Sequence, residues 1–185
     1  NFFRGSFDGA GHIVRFENNS GNTGTHAGLF GSVSAGAEIK NVITAGTVEG
    51  NAQFTGALVA SVICQNGDAV KIDNCINTAN VSITRPETDY IGGLVGGKYV
   101  DYSSELGTQA MGLSITNCVN TGQVMGGSGI IGYCMDTSET IISGCINYGE
   151  NLSITSGKSD YVKVYNSYSL YVDSAGSNGS PLLRG

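Results

Sequence analysis

The groups in this 185-residue chain that could do chemistry are fifteen carboxylates, nine lysines and arginines, two histidines and five cysteines. Glycoside cleavage needs two carboxylates at a fixed separation, and a metal site needs Cys or His at ligand spacing. The carboxylates instead fall singly along the sequence. Asp8 precedes Gly9, a turn pair. Asp101 and Glu105 share a long insertion with Lys98, and Asp136 and Glu139 follow further on, spaced as a cross-coil pair or as ordinary solvated loop charge. No Cys-x-x-Cys occurs, and His12 and His26 lie far in sequence from the cysteines. No catalytic residue, cofactor-binding residue or metal ligand is therefore assigned. Aromatic residues are the better binding signal: there are nine Tyr and no Trp. A tyrosine ring stacks on a sugar face or anchors a protein partner while its hydroxyl stays wet. Tyr99 and Tyr102 fall in the longest insertion and Tyr90 on the approach to it, so the ligand-binding candidates are Tyr99, Asp101, Tyr102 and Glu105. Tyr161, Tyr165, Tyr168 and Tyr171 crowd the last repeat, where bulky rings are expected to close the open end of a core.

A degenerate repeat must position these residues. Ile39-Lys40-Asn41-Val42-Ile43 is echoed by Ile72-Asp73-Asn74-Cys75-Ile76, Ile115-Thr116-Asn117-Cys118-Val119, Ile142-Ser143-Gly144-Cys145-Ile146 and Val164-Tyr165-Asn166-Ser167-Tyr168. Each copy is too short to bury a core alone and must stack on its neighbours. Ile72 and Cys75 are three apart and both read as inward, so Asn74 between them is expected in the left-handed conformation, which Asn and Gly tolerate best. Gly144 in the fourth copy agrees. Asn41, Asn74 and Asn117 form one candidate amide ladder, and Asn77, Asn120 and Asn147 a second, both structural. Cys75, Cys118 and Cys145 stand where the first copy has Val42, which marks a small buried apolar position and a row of thiols rather than a framework of bridges. Cys134 aligns with Val33 and Val62, again an apolar slot.

The copies continue with Val48, Val81, Val124 and Leu152, expected to re-enter the core. Then comes a glycine-flanked apolar block: Gly28-Leu29-Phe30-Gly31, Ala57-Leu58-Val59-Ala60, Gly93-Leu94-Val95-Gly96 and Gly129-Ile130-Ile131-Gly132. Over residues 2 to about 168 the chain resembles the GLUG-motif repeats of bacterial cell-surface proteins. The segment Phe3 to Ile13 is similar to the one that precedes such repeats. The resemblance implies an extracellular, adhesin-like or modular surface protein. Such repeats also occur beside catalytic domains, immunoglobulin-A-cleaving zinc metallopeptidases among them.

Composition points the same way. Charged residues are only 13% and apolar residues 40%, which suits a β surface with polar rows rather than a helical bundle. The reading is an all-β, right-handed parallel β-helix of about five irregular coils with three faces per coil and loop insertions. An irregular β-sandwich is the runner-up. Residues 1–173 read as one domain and 174–185 as a Gly/Ser-rich tail or linker. Unequal repeat spacing places insertions at 97–112, 64–69 and 85–89, where repeat folds tend to carry binding.

A net charge of −6 excludes the basic stripe of a nucleic-acid groove, and no run reaches a membrane span. The start Asn1-Phe2-Phe3 reads as part of a longer protein with any signal or anchor elsewhere. The expected function is a non-catalytic extracellular or cell-surface module, adhesin-like or a spacer, that binds glycan or a host surface protein through loops on one face. Neighbouring domains of a longer chain are expected as further partners. The alternatives are a carbohydrate-active β-helix enzyme (lyase or glycoside hydrolase) and an accessory domain of a surface peptidase. An ordered-surface binder such as an ice-binding protein ranks last, because Thr44 and Thr47 do not recur as a row.

Overall fold

A computed structural model describes residues 2–20, 24–50, 52–64, 67–83, 90–100, 111–135, 138–149, 154–155 and 160–169. These residues are all-β, with no helix, and their strands pair in parallel. The chain visits four sheets in turn and then repeats the circuit. The first holds β1 (Ser6–Asp8), β5 (Glu38–Lys40), β9 (Val70–Asp73), β14 (Leu113–Thr116), β17 (Thr140–Ser143) and β19 (Val162–Tyr165). The second holds β2 (Ile13–Ser20), β6 (Ile43–Gly50), β10 (Ile76–Asn77), β11 (Asn80–Ile83), β15 (Val119–Asn120), β18 (Ile146–Asn147) and β20 (Tyr168–Ser169). The third holds β3 (His26–Ala27), β7 (Phe54–Gly56) and β12 (Tyr90–Gly92). The fourth holds β4 (Phe30–Val33), β8 (Val59–Cys64), β13 (Val95–Val100) and β16 (Ile131–Cys134).

Two counts differ from the sequence reading. The first sheet has six strands because Ser6–Asp8 adds a level ahead of the first full repeat. The faces number four because the Gly-Leu block does not form one strand. Its first two residues turn the chain and its last two begin the next strand, so the block divides the third sheet from the fourth.

Register aligns like with like. Ile39, Ile72, Ile115 and Ile142 are paired in succession and fully buried, each worth about 1.5–3 kcal/mol of transfer free energy. Asn41, Asn74 and Asn117 have φ of 55°, 50° and 54°, Asn166 has 46° and Gly144 has 64°. The bend expected at this position is therefore present in every copy. It turns Val42, Cys75, Cys118 and Cys145 inward, where they are fully buried and the thiols are free. Hydrogen bonding with Cys145 and Cys75, with burial added, pushes the Cys118 thiol well up. Val48, Val81 and Val124 are buried as expected, and Leu152 lies outside the described residues.

The exterior amide ladder is shorter than its sequence suggests. Asn41 donates to Asp8 at 2.9 Å and Asn74 to Asn41 at 2.7 Å, but Asn117 turns to Asp73 at 2.9 Å. The interior ladder is longer than expected. Thr44 donates to Asn77, Asn77 to Asn120 and Asn120 to Asn147, each at 2.8 Å, and Asn147 donates to Ser169 at 2.9 Å. The three asparagines are fully buried. Each amide nitrogen also donates to the carbonyl two residues on, at 2.9, 3.1 and 3.5 Å in turn.

Glycines of the Gly-Leu block press on this ladder. A Cβ on Gly93 would lie 2.6 Å from Asn120 Oδ1, and one on Gly129 only 2.1 Å from Asn147 Cγ. The contact divides the apolar interior. A larger core holds the Ile row, the cysteines, Leu58 and Leu94. A smaller one holds Ala27, Val48, Ala57, Ala79, Val81, Ile91 and Val124. At the N-terminal end Phe3, Phe7 and Phe30 close the larger core, with ring centroids 5.0 and 5.4 Å apart. The tyrosine cap expected at the other end is not formed by Tyr165 and Tyr168. They extend the rows of Ser143 and Ile146, remain 47% and 39% exposed, and leave Val162, Val164 and Ser167 as the inward positions. Tyr171 lies outside the described residues.

Removing one rung leaves buried donors and acceptors short of partners, at about 1–3 kcal/mol each. Asn120→Ala is expected to lower unfolding stability by about 2 kcal/mol or more. Cys118→Val, the exchange the repeat itself makes at Val42, is expected to cost under about 1.5 kcal/mol. Urea denaturation of both variants checks the ordering.

Candidate functional site

The Gly-Leu turn folds the fourth sheet back along the outside of the third. Within one coil, a Cβ on Gly92 would meet Val95 O at 2.0 Å, and one on Gly56 would meet Val59 O at 2.4 Å. Between coils, a Cβ on Gly96 would lie 2.7 Å from Thr55 N and one on Gly132 2.5 Å from Ile91 N. Backbone rests on backbone there, which only glycine permits. Near these glycines, aromatic rings from the two sheets come together. His26, Phe54 and Tyr90 stand in register on the third sheet. Tyr99 and Tyr133 come from the fourth.

Phe54 is the centre of the cluster. Its ring is stacked with His26 at 5.3 Å, Tyr90 at 4.5 Å and Tyr99 at 4.6 Å, and it is only 5% exposed. Tyr133 meets Tyr90 edge-on at 5.7 Å and is 36% exposed. Offset and edge-on pairs of this kind are worth about 0.5–1.5 kcal/mol beyond their burial. Gly97 makes the room: a Cβ there would lie 3.1 Å from Tyr90 Cδ1 and 3.4 Å from Phe54 Cδ1. The row of Ser32, Ser61, Gly97 and Tyr133 lies on this outer face, and the Ser32 and Ser61 hydroxyls are hydrogen-bonded at 3.0 Å. The Tyr90 hydroxyl donates to the Met135 sulfur. Burial pushes the His26 imidazole down, toward its neutral form. Its Nδ1 sits 2.7 Å from the Thr25 hydroxyl, while Nε2 is buried without a hydrogen-bond partner among the described residues.

Of the four binding candidates, Tyr99 is in this cluster, and Asp101, Tyr102 and Glu105 lie outside the described residues. Tyr99 and Lys98 are not loop residues: β13 continues through both. The sequence reading missed His26, Phe54 and Tyr133. The missed signal is their offset from the glycine block: Phe54 and Tyr90 precede it by three residues, His26 by two, and Tyr133 follows its first residue by four. That offset also misplaced Lys98, which aligns with Val33, Val62 and Cys134 and points inward. Lys98 is fully buried, and its Nζ donates to Ser138 O (3.1 Å), Ser138 Oγ (2.7 Å), Glu139 O (3.3 Å) and Thr140 Oγ1 (3.1 Å). A buried ammonium so surrounded is a structural cation that ties the fourth sheet to the start of β17.

Carboxylates on the first sheet bridge adjacent coils. Asp8 is 3.6 Å from Lys40, Glu38 2.8 Å from Lys71 and Glu139 2.6 Å from Lys163. Asp73 accepts from Thr116 at 2.5 Å and Asn117 at 2.9 Å. Asp8 also accepts from Ala10 N, as its turn pair predicts. The cross-coil carboxylate pair considered in the sequence involves Asp101, Glu105 and Asp136, outside the described residues; Glu139 is engaged with Lys163. Among the described residues no group of three or more His, Cys, Asp and Glu could hold a metal. No helix there is long and apolar enough to cross a membrane.

No family model matches the sequence, and no curated protein matches it. Among solved structures the chain is similar to a putative immunoglobulin A1 protease from Bacteroides ovatus, with a TM-score of 0.53 and 15% identity. The likeness covers 97% of this chain and 64% of that one, so this chain spans less than two thirds of its neighbour's length. At this identity the likeness is one of fold.

The hydrogen bond from Asn41 holds the Asp8 carboxyl below its usual range, aided by Ala10 N and Lys40, and the one from Lys71 holds Glu38 low. A depressed folded pKa gives stability that is present above the unfolded value, about 4, and is lost as pH falls through the folded value. Both groups are exposed, so the effect is small and screened by salt. Melting temperature is expected to fall below about pH 4. Asp8→Asn, which removes the titrating charge, is expected to flatten that fall by lowering Tm slightly at pH 7 and leaving it unchanged at pH 2.5. Thermal melts from pH 2.5 to 7 check it.

Proposed function

We propose that the chain is a right-handed parallel β-helix of GLUG type. On this reading it serves as a non-catalytic recognition or spacer module of a longer extracellular surface protein. It meets a glycan or a host protein on the face that carries the aromatic cluster. The observation that carries this reading is where exposed rings and insertions coincide. Half-exposed Tyr90 and Tyr99 stand on β12 and β13; in sequence the insertion at 85–89 precedes β12, and the one placed at 97–112 begins within β13, which extends to Val100. Binding residues collect where insertions interrupt a rigid repeat. The described carboxylates of the first sheet, by contrast, are engaged in cross-coil pairs with lysines or amides, which supports a structural role for them rather than acid–base chemistry.

A second reading is supported by the structural neighbour. A solenoid of this shape within a longer chain named as a putative immunoglobulin A1 protease fits an accessory domain that presents substrate to a catalytic unit elsewhere. Both readings predict binding without turnover. The isolated chain, incubated with immunoglobulin A1 and with a panel of polysaccharides, is expected to bind at least one of them and cleave none. Turnover of a polysaccharide that is abolished by Asp101→Asn or Glu105→Gln would sink both readings in favour of a β-helix enzyme.

A further inference from the structure

We infer that the outer face of the second sheet is a self-association surface, on which two copies of this chain pack sheet against sheet. Ile13, Ile43, Ile76, Val119, Ile146 and Tyr168 stand in one register row across β2, β6, β10, β15, β18 and β20. The next residue on β6, β10, β15 and β18 is Thr44, Asn77, Asn120 or Asn147, buried in the interior ladder, so the row itself faces out. Ile13 is 61% exposed and Tyr168 39%, and the four between them are half-buried. None of the six packs in either apolar core. A sheet with one face on the core normally turns polar residues to the solvent, and an unbroken apolar row there marks an interaction surface.

The flanks of the row carry amides, hydroxyls and a ring rather than charge. Asn41, Asn74, Asn117, Gly144 and Asn166 form the bend on one side. Thr78, Thr121 and Tyr148 stand exposed two residues past the row on the other. Beyond the bend, Asp8 is paired with Lys40, and Asp73 is engaged by Thr116 and Asn117. Arg15, Glu17 and Glu49 lie further along β2 and β6. The chain carries −6, so two copies repel at long range. A face with no charge at its centre is where they can meet without opposing like charges.

Period and size select a second copy as the occupant. Stacked coils repeat at about 4.8 Å, and a facing row stays in step over six levels only if it repeats at the same distance. A helix, with a pitch of about 5.4 Å, would drift by about 3 Å over the five steps. An extended peptide gains affinity by pairing with a free strand edge. Under the row the backbone is already committed between coils: Ile76 N donates to Val42 O at 2.8 Å, Val119 N to Cys75 O and Ile146 N to Cys118 O, both at 2.9 Å. A second copy brings the same row at the same period, and in a two-fold pair each row is the other's partner. The face is about 24 Å long and roughly 13 Å wide from bend to far flank, or on the order of 300 Å². A standard interface takes roughly 800 Å² from each partner, so the pair is weak and reversible rather than obligate.

Sedimentation velocity of the full chain tests this from about 10 µM to about 1 mM, the range in which so small an interface associates. The sedimentation coefficient is expected to rise with concentration from one chain toward two and to level there. Ile76→Lys and Val119→Lys, at the middle of the row, are each expected to raise the dissociation constant about tenfold or more. Ser114→Lys adds the same charge on the first sheet and is expected to leave it unchanged. Circular dichroism and Tm confirm that each variant is folded. Should lysine unfold the chain, Ile76→Thr and Val119→Thr are expected to weaken the pair in the same sense. A chain that stays monomeric to the top of the concentration range overturns the inference. So does a dimer that the Ile76 and Val119 variants leave intact, since its contact lies on another face. Growth past two chains without a plateau overturns it as well, because stacking through strand edges is open-ended while a two-fold face closes. None of these results bears on binding by the aromatic cluster, so the recognition reading is tested separately.

Discussion

The structure depends on a line of buried amides. Thr44, Asn77, Asn120, Asn147 and Ser169 pass hydrogen bonds from coil to coil through the interior. A buried polar group without a partner costs more than a partnered one gains, so this line fixes each coil against the next. A coil slipped by one residue would strand every amide in an apolar surrounding. The glycines that open the third and fourth Gly-Leu blocks fit against the same side chains. The pinch they make divides the interior into two cores. It also brings the third and fourth sheets together on the outside.

The aromatic cluster lies beside that pinch, on strands of the third and fourth sheets. Because Gly93 and Gly129 must reach the ladder, the chain runs in along the third sheet and out along the fourth. Side chains on the outer faces of those strands then come together. Glycine at 56, 92, 96 and 132 lets the backbones touch. The rings of Phe54, Tyr90 and Tyr99 collect near them. The residues proposed to recognise a ligand thus stand on strands, on a rigid support, rather than only on the insertions that follow them. Preorganised aromatic anchors lose little conformational freedom on binding.

Much of this was legible in the sequence. Exchange of Cys for Val and of Asn for Gly along the repeat correctly marked the core row and the left-handed bend, because both positions admit few residue types for physical reasons. The interior amide row was visible as Asn77, Asn120 and Asn147. Its ends at Thr44 and Ser169 were hidden because a hydroxyl can replace an amide at a terminus, where one bond suffices. The fourth face was not legible. A Gly-Leu-x-Gly block looks like one short strand until its first glycine is seen to turn the chain. The same error left Lys98 and Tyr99 in a loop, although counting two residues past the block puts Lys98 in the row of Val62 and Cys134. A buried lysine defeats binary patterning, since its ammonium is satisfied by Ser138, Glu139 and Thr140 from the next coil. The ring cluster was missed because its members come from four different coils.

The central claim is that the amides of Asn77, Asn120 and Asn147 are locked in a dry, continuous ladder. Side-chain amide hydrogen exchange, followed by NMR on selectively 15N-labelled asparagine, tests it most directly. The account predicts that these three NH2 groups exchange only on global opening, as slowly as the most protected backbone amides. Those of Asn41, Asn74 and Asn117 on the exterior should exchange far faster. Interior amides that exchange as fast as the exterior ones would contradict it.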